Sequence, residues 1–189
     1  MTIATSMEHA AHAGRAETLG REQFERFYTQ TARALRSYIC RVAGNATIAD
    51  DILQESYVRL LSAPPLLEAQ RKSYLYRTAT NLVTDHHRAQ TRQRRWWQLA
   101  PRRDEALDSR VDLPPDMERL FAMAGGQERA LLWLAYVEGE DHREIAAVLG
   151  LKEKSVKVLL FRARRKMEEI LKRHGFERSH ERSHEGSHE

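Results

Sequence analysis

Between Asp141 and Leu171 apolar residues recur at helical spacing on either side of a single glycine, and few local structures satisfy that pattern. Asp141 stands where a helix needs an N-cap, with Glu144 three residues on. Ile145 and Leu149 face inward, and Ala146 is small where a second helix must approach. Gly150 falls at the turn, where a positive backbone angle is easy only for glycine. Leu151 plugs the turn, and Val156, Leu160, Ala163, Met167 and Ile170 supply the buried face of the next helix. This predicts a helix-turn-helix over residues 141 to 171. A plain helical hairpin would satisfy the same spacing, so charge decides between them. From Lys152 to Arg173 nine bases stand against three acids, a net of +6. A second helix this basic suits the phosphates and groove of duplex DNA.

A second basic stretch lies upstream. From Arg71 to Arg103 there are nine bases and one acid, Asp85, with Tyr74, Tyr76, Trp96 and Trp97 in or beside it. Cations track a phosphate backbone and aromatic faces stack on unpaired bases, so this stretch points to single-stranded nucleic acid. The chain as a whole carries only +4, so its basic character is local. The helix before this stretch differs: Asp50, Asp51, Gln54 and Glu55 form an acidic-polar face that disfavours phosphate and is free for a protein partner.

The remaining pattern is helical throughout. Phe24, Phe27, Tyr28, Leu35, Tyr38, Ile39 and Val42 are spaced for one helix, stopped by Gly44. Thr47, with Asp50 three residues on, is the expected cap of the next, which carries Ile48, Ile52, Leu53, Tyr57, Leu60 and Leu61 and ends before Pro64-Pro65. A third is expected from about Ser73 towards Arg95, with Leu75, Ala79, Leu82 and Val83 inward. Residues 104 to 118 hold six acids and one base, with Pro114-Pro115, and are expected to be a linker. Beyond it a short helix should end at Gly125-Gly126, and another, with Ala130, Leu131, Leu134 and Val137 on one face, at Gly139.

The fold expected is therefore all-α: two small helical domains joined by a flexible acidic linker, the C-terminal one a four-helix helix-turn-helix. The divisions are a mobile arm over 1–20, a first domain over 21–100, the linker over 101–115, the second domain over 116–173 and a disordered His/Glu-rich tail over 174–189. The single cysteine, Cys40, excludes an internal disulfide and sits in an apolar-periodic segment, where a buried structural thiol is expected. No apolar run reaches the length of a membrane span, residues 1 to 20 lack a signal core, and a cytoplasmic protein is expected. In the tail His180, His184 and His188 are four residues apart, a weak candidate metal site that a helix would bring to one face. Neither a phosphate-binding glycine loop nor an assembled acid-base set is present in the sequence, so no enzyme and no cofactor are expected.

Three segments together resemble one family. Asp50 to Leu61 (DDILQESYVRLL) resembles the polymerase-binding helix of bacterial extracytoplasmic-function (ECF) sigma factors. Tyr74 to Arg88 (YLYRTATNLVTDHHR) resembles their promoter-melting helix. Glu144 to Gly150 (EIAAVLG), with Ser155-Val-Lys157 and Arg162-Ala-Arg164, resembles their C-terminal helix-turn-helix. The resemblance spans about residues 21 to 172. It implies a subunit that joins core RNA polymerase through the clamp helices of the largest subunit, recognises the minus-ten and minus-thirty-five promoter elements, and is restrained by an anti-sigma factor. Carried over by position, Asp51, Gln54 and Glu55 would serve polymerase binding. Tyr76, Asn81, Asp85, Arg88 and the neighbouring Arg92 would serve the minus-ten strand. Lys152, Lys154, Ser155, Lys157 and Arg162 would serve the minus-thirty-five duplex. Lys154 stands where the family often has glycine, and the run from Val156 to Phe161 is apolar except for Lys157. A free-standing helix-turn-helix regulator is the alternative.

Overall fold

A computed structural model describes residues 19–96 and 115–176. Most of the expected arm and linker, Trp97, and the tail with His180, His184 and His188 lie outside the described residues. Within them every element is a helix: α1 (Arg21–Ala43), α2 (Ala49–Leu61), α3 (Glu68–Trp96), α4 (Pro115–Ala122), α5 (Gly126–Tyr136), α6 (His142–Leu149) and α7 (Glu153–Arg173). The all-helical expectation holds.

Helix α1 ends where Gly44 adopts a left-handed backbone (φ 65°), its N–H bonding back to the Cys40 carbonyl at 2.9 Å. The start of α2 departs from expectation. Ile48, not Thr47, occupies the cap position, and no side chain caps the helix. Asn45 accepts the Thr47 N–H at 2.8 Å, forming a local turn that delays the helix. Asp50, expected to complete that cap, is held instead by Arg36 of α1 through two bonds of 2.6 and 3.1 Å. Helix α3 begins at Glu68, five residues before the expected Ser73. The short helix expected to end at Gly125-Gly126 ends at Ala122, and the glycine pair opens the next: Gly125 is the N-cap of α5, its N–H bonding the Glu128 carboxylate at 2.6 Å. Val137 is exposed just past the end of α5, not on its inward face.

The first three helices pack on one another through Leu35, Tyr38, Ile39, Ile52, Leu53, Tyr57, Leu75, Ala79 and Val83. Cys40 is fully buried among them, and burial pushes its thiol pKa up, the state of an unreactive structural cysteine. Helices α5, α6 and α7 form a second group around Leu131, Leu134, Ile145, Val148, Val156 and Leu160. The two groups share one continuous core, with α1 against α5 and α3 against α6. A smaller apolar cluster, Leu120, Ala124 and Ile170, fastens α4 to α7.

Polar contacts at this joint are made by buried and half-buried groups. The Arg129 guanidinium on α5 donates to the carbonyls of Ala122 (2.9 Å), Ala124 (2.8 Å) and Val42 (2.7 Å). These oxygens lie at or just past the C-terminal ends of α4 and α1, where helices leave carbonyls without intrahelical partners. Arg41, almost fully buried on α1, forms an ion pair with Glu118 of α4. Glu118 thus belongs to a helix and a buried pair, although it continues the acidic run of the linker. Lys72 of α3 reaches Glu140 at 2.6 Å and Glu138 at 3.3 Å, and Ser73 donates to Glu144 of α6.

Two measurements test this joint. Arg129→Met removes three charge-assisted bonds and leaves helix-end carbonyls without their donor; it is expected to cost roughly 3 kcal/mol in urea unfolding. The second concerns His87 on α3. Burial lowers its pKa below the ordinary histidine value of about 6.5, and the Arg129 and His86 charges lower it further. The unfolded chain therefore takes up this proton first on acidification. Stability should rise with pH through the window just below about 6.5 and fall on the acid side. His87→Gln is expected to flatten that part of a urea-midpoint profile, and an unchanged slope would show that another group sets it.

Candidate nucleic-acid interface

The helix-turn-helix is built by α6, the turn and α7. Asp141 caps α6 by accepting the Glu144 N–H at 2.9 Å. Gly150 closes it in the left-handed region (φ 64°), and the Ala146 carbonyl accepts the N–H groups of both Gly150 and Leu151. Ala146 and Ile145 are buried at the approach of the helices. Leu149 is only half-buried, and Val148 takes the inward place instead. Helix α7 turns Val156, Leu160, Ala163 and Ile170 inward, with Met167 half-buried. Lys152, Lys154, Lys157, Arg162, Arg164 and Arg165 are exposed and Ser155 is half-buried. Lys166 is committed to the Glu128 carboxylate at 2.7 and 2.9 Å, so it belongs to the joint between α5 and α7.

Helix α3 carries the other basic surface. Arg77, Asn81, Asp85, Arg88 and Arg92 are all exposed, and steps of four and three residues keep them on one face. Asp85 and Arg88 lie 3.8 Å apart with both side chains 70% exposed, so this pair restrains neither strongly. Not every base of the stretch joins the stripe. Arg71 is buried, and Lys72 is turned towards Glu138 and Glu140. Burial works to lower the Lys72 pKa, but the two carboxylates raise it overall, so it stays charged. Tyr76 lies away from the stripe. It is 1% exposed, beside Tyr38 and Glu138, and burial together with that carboxylate pushes its hydroxyl pKa well up. The structure thus gathers four of the five predicted α3 residues on one open face and places Tyr76 inside the joint.

A third surface lies on α2. Asp51, Gln54 and Glu55 are exposed on one face, with Glu55 bonded to Arg59 at 2.7 Å. Val58 and Leu61 continue that face and are 56% and 46% exposed. Leu61 belongs to the apolar set read for this helix, and the structure leaves it on the outer face beside Val58. The signal was present: Val58 is four residues after Gln54, and Leu61 three after Val58, so a helical projection puts both beside the acids. The result is an acidic surface with an apolar end. Among the described residues no helix is long and apolar enough to cross a membrane.

Comparison with known proteins matches two parts of the chain. Residues 27–93 match the family description "Sigma-70 region 2" and residues 126–167 match "Sigma-70, region 4". A protein of Mycobacterium tuberculosis described as a probable ECF RNA polymerase sigma factor, SigI, is 31% identical over 154 residues, covering 72% of this chain and 53% of that protein. The ECF RNA polymerase sigma factor BldN of Streptomyces coelicolor is 28% identical over 177 residues, covering 85% of this chain and 63% of its own length. The chain thus spans about half of the first relative and under two thirds of the second. The solved structure of the sigma factor RpoE in complex with the anti-sigma factor NepR, from Bartonella quintana, superimposes with a TM-score of 0.65 at 19% identity, covering 80% of this chain and 98% of that one. At that identity the likeness speaks for the fold.

The turn gives a prediction of its own. A Cβ at Gly150 would meet nothing within 4 Å, so only the left-handed backbone opposes a side chain there. Gly150→Ala should cost about 1 kcal/mol in thermal unfolding, and Gly150→Asn less, because asparagine tolerates that conformation. Equal losses would place the cost in packing.

Proposed function

Because the chain belongs to the sigma-70 family of RNA polymerase sigma factors, in its ECF branch, we propose that it joins core RNA polymerase and directs initiation at promoters with minus-ten and minus-thirty-five elements. The observation that carries this reading is the separation of three exposed surfaces of different chemistry on one chain. An acidic face with an apolar end lies on α2, a basic stripe on α3, and a basic helix-turn-helix on α6 and α7. In this reading Asp51, Gln54 and Glu55 meet the clamp helices of the largest polymerase subunit, with Val58 and Leu61 extending the contact. Asn81, Asp85, Arg88 and Arg92 face the minus-ten strand. Lys152, Lys154, Ser155, Lys157 and Arg162 serve the minus-thirty-five duplex, where the lysines fix position on the phosphates. The chain acts as a binding subunit in the cytoplasm, and the bond-forming chemistry is the polymerase's.

Tyr76 carries a further consequence. A side chain buried beside Glu138 in the joint cannot stack on an unpaired base while the joint is closed. Its use in promoter melting requires α3 and α6 to part first. Restraint by an anti-sigma factor fits surfaces of this kind, and the Bartonella neighbour was solved with one. A free-standing helix-turn-helix regulator would need neither the acidic face nor the α3 stripe.

The test is transcription by core polymerase from a randomised promoter library, with and without the protein. Start sites sharing two spaced elements are expected, and initiation no more selective than that of core alone would sink the reading. Asp51→Arg should weaken polymerase binding by tenfold or more, about 1.4 kcal/mol or above, with thermal unfolding unchanged. Lys157→Ala should weaken holoenzyme binding to duplexes carrying the upstream element and lower the salt dependence of that binding by about one unit of slope. An unchanged slope would remove Lys157 from the phosphate contacts.

A further inference from the structure

The outward face of α7 contains a feature that phosphate binding does not explain. Val158 is 50% exposed and Phe161 is 53% exposed, although the helix has a complete inward face in Val156, Leu160, Ala163 and Ile170. They are therefore not misplaced core residues. Three positions apart, they are neighbours on one side of the helix. Lys154 and Arg162 stand four residues before and after Val158, Arg165 stands four after Phe161, Lys157 is adjacent, and all four cations are exposed. Two large apolar side chains are thus framed by positive charge.

That frame selects the occupant. An apolar protein groove would have to desolvate four cations to cover two side chains, which costs more than the apolar contact returns. The major groove of duplex DNA has the opposite arrangement, with phosphate walls and a floor of base edges. One apolar group projects from that floor, the C5-methyl of thymine. We infer that Val158 and Phe161 are specificity-determining residues that read thymine methyl groups in the upstream promoter element. This rests on the reading that α7 enters the major groove there. Three residues advance the helix by about 4.5 Å, against about 3.4 Å for one base step. The two side chains therefore meet thymines at adjacent base pairs. The scarcity of polar groups on this face fits the same reading: Ser155 is half-buried, and the lysines are long point charges suited to phosphate.

The test replaces thymine by deoxyuridine, which removes the methyl group and keeps base pairing. Full-length protein is assembled with core polymerase on a promoter recovered from the library above, and each thymine of the upstream element is replaced in turn. Binding is expected to fall about fourfold at each of two adjacent base pairs, since one buried methyl-sized group is worth about 0.8 kcal/mol. Phe161→Ala should erase the discrimination at one of them and Val158→Ala at the other, with thermal unfolding and core-polymerase binding unchanged. Equal binding of thymine and deoxyuridine at every position overturns the inference, as does discrimination that survives both substitutions. Loss of polymerase binding in the alanine variants with discrimination intact would make the pair a protein-docking surface and overturn it too. Library promoters with no upstream element at all would instead overturn the assignment of α7 to promoter DNA, and this inference with it.

Discussion

One guanidinium holds the two halves of the chain in register. Arg129 gathers carbonyls from the ends of α1 and α4 while standing on α5, so three helices meet at a single side chain. Gly44 lies beside it: a Cβ there would come into van der Waals contact with the Arg129 guanidinium at 3.4 Å, so the left-handed backbone rather than crowding favours glycine. The Arg41–Glu118 pair closes the same seam on a second side. Buried ion pairs add little net stability, because desolvation offsets attraction, but breaking one leaves an uncompensated charge. Such contacts fix which surfaces meet more than how strongly they adhere.

This seam sorts the functional surfaces into open and closed. Helix α6 is engaged against α3, with Glu144 accepting from Ser73 within the shared apolar core. Lys72 and Tyr76 are drawn into the same contact by Glu138 and Glu140. The outward faces of α2, α3 and α7 remain exposed. A protein arranged this way presents the acidic face of α2 and the basic face of α7 while one face of α3 is covered. The two halves share one hydrophobic core, so opening them means giving up packed apolar surface as well as polar bonds.

Much of the local structure was legible in the residues. The Asp141 cap, the Gly150 turn and the inward face of α7 depend on neighbours within a few positions, and short-range pattern specifies them. One departure came where a distant residue competed. Asp50 was expected to complete a cap but is claimed by Arg36, from another helix. At the glycine pair the shift is local: α4 ends at Ala122, and the Glu128 carboxylate accepts the Gly125 N–H to open α5. Leu61 and Val137 have apolar character and helical spacing, yet nothing packs over them enough to bury them.

The sequence by itself determined the all-helical architecture, the position of the helix-turn-helix and the clustering of charge, since periodicity, glycine and net charge act within a few turns of chain. It also set out the stripe of Arg77, Asn81, Asp85, Arg88 and Arg92, which follows from spacing alone. The tertiary structure decided which charges are free. Arg71, Lys72 and Lys166 count as bases in the sequence, but one is buried and two are bound to carboxylates far along the chain. It also decided that Tyr76 is inside and that Val158 and Phe161 are outside. Helical spacing orders the faces of a helix, but how far a residue is covered is set by what packs against it from remote parts of the chain.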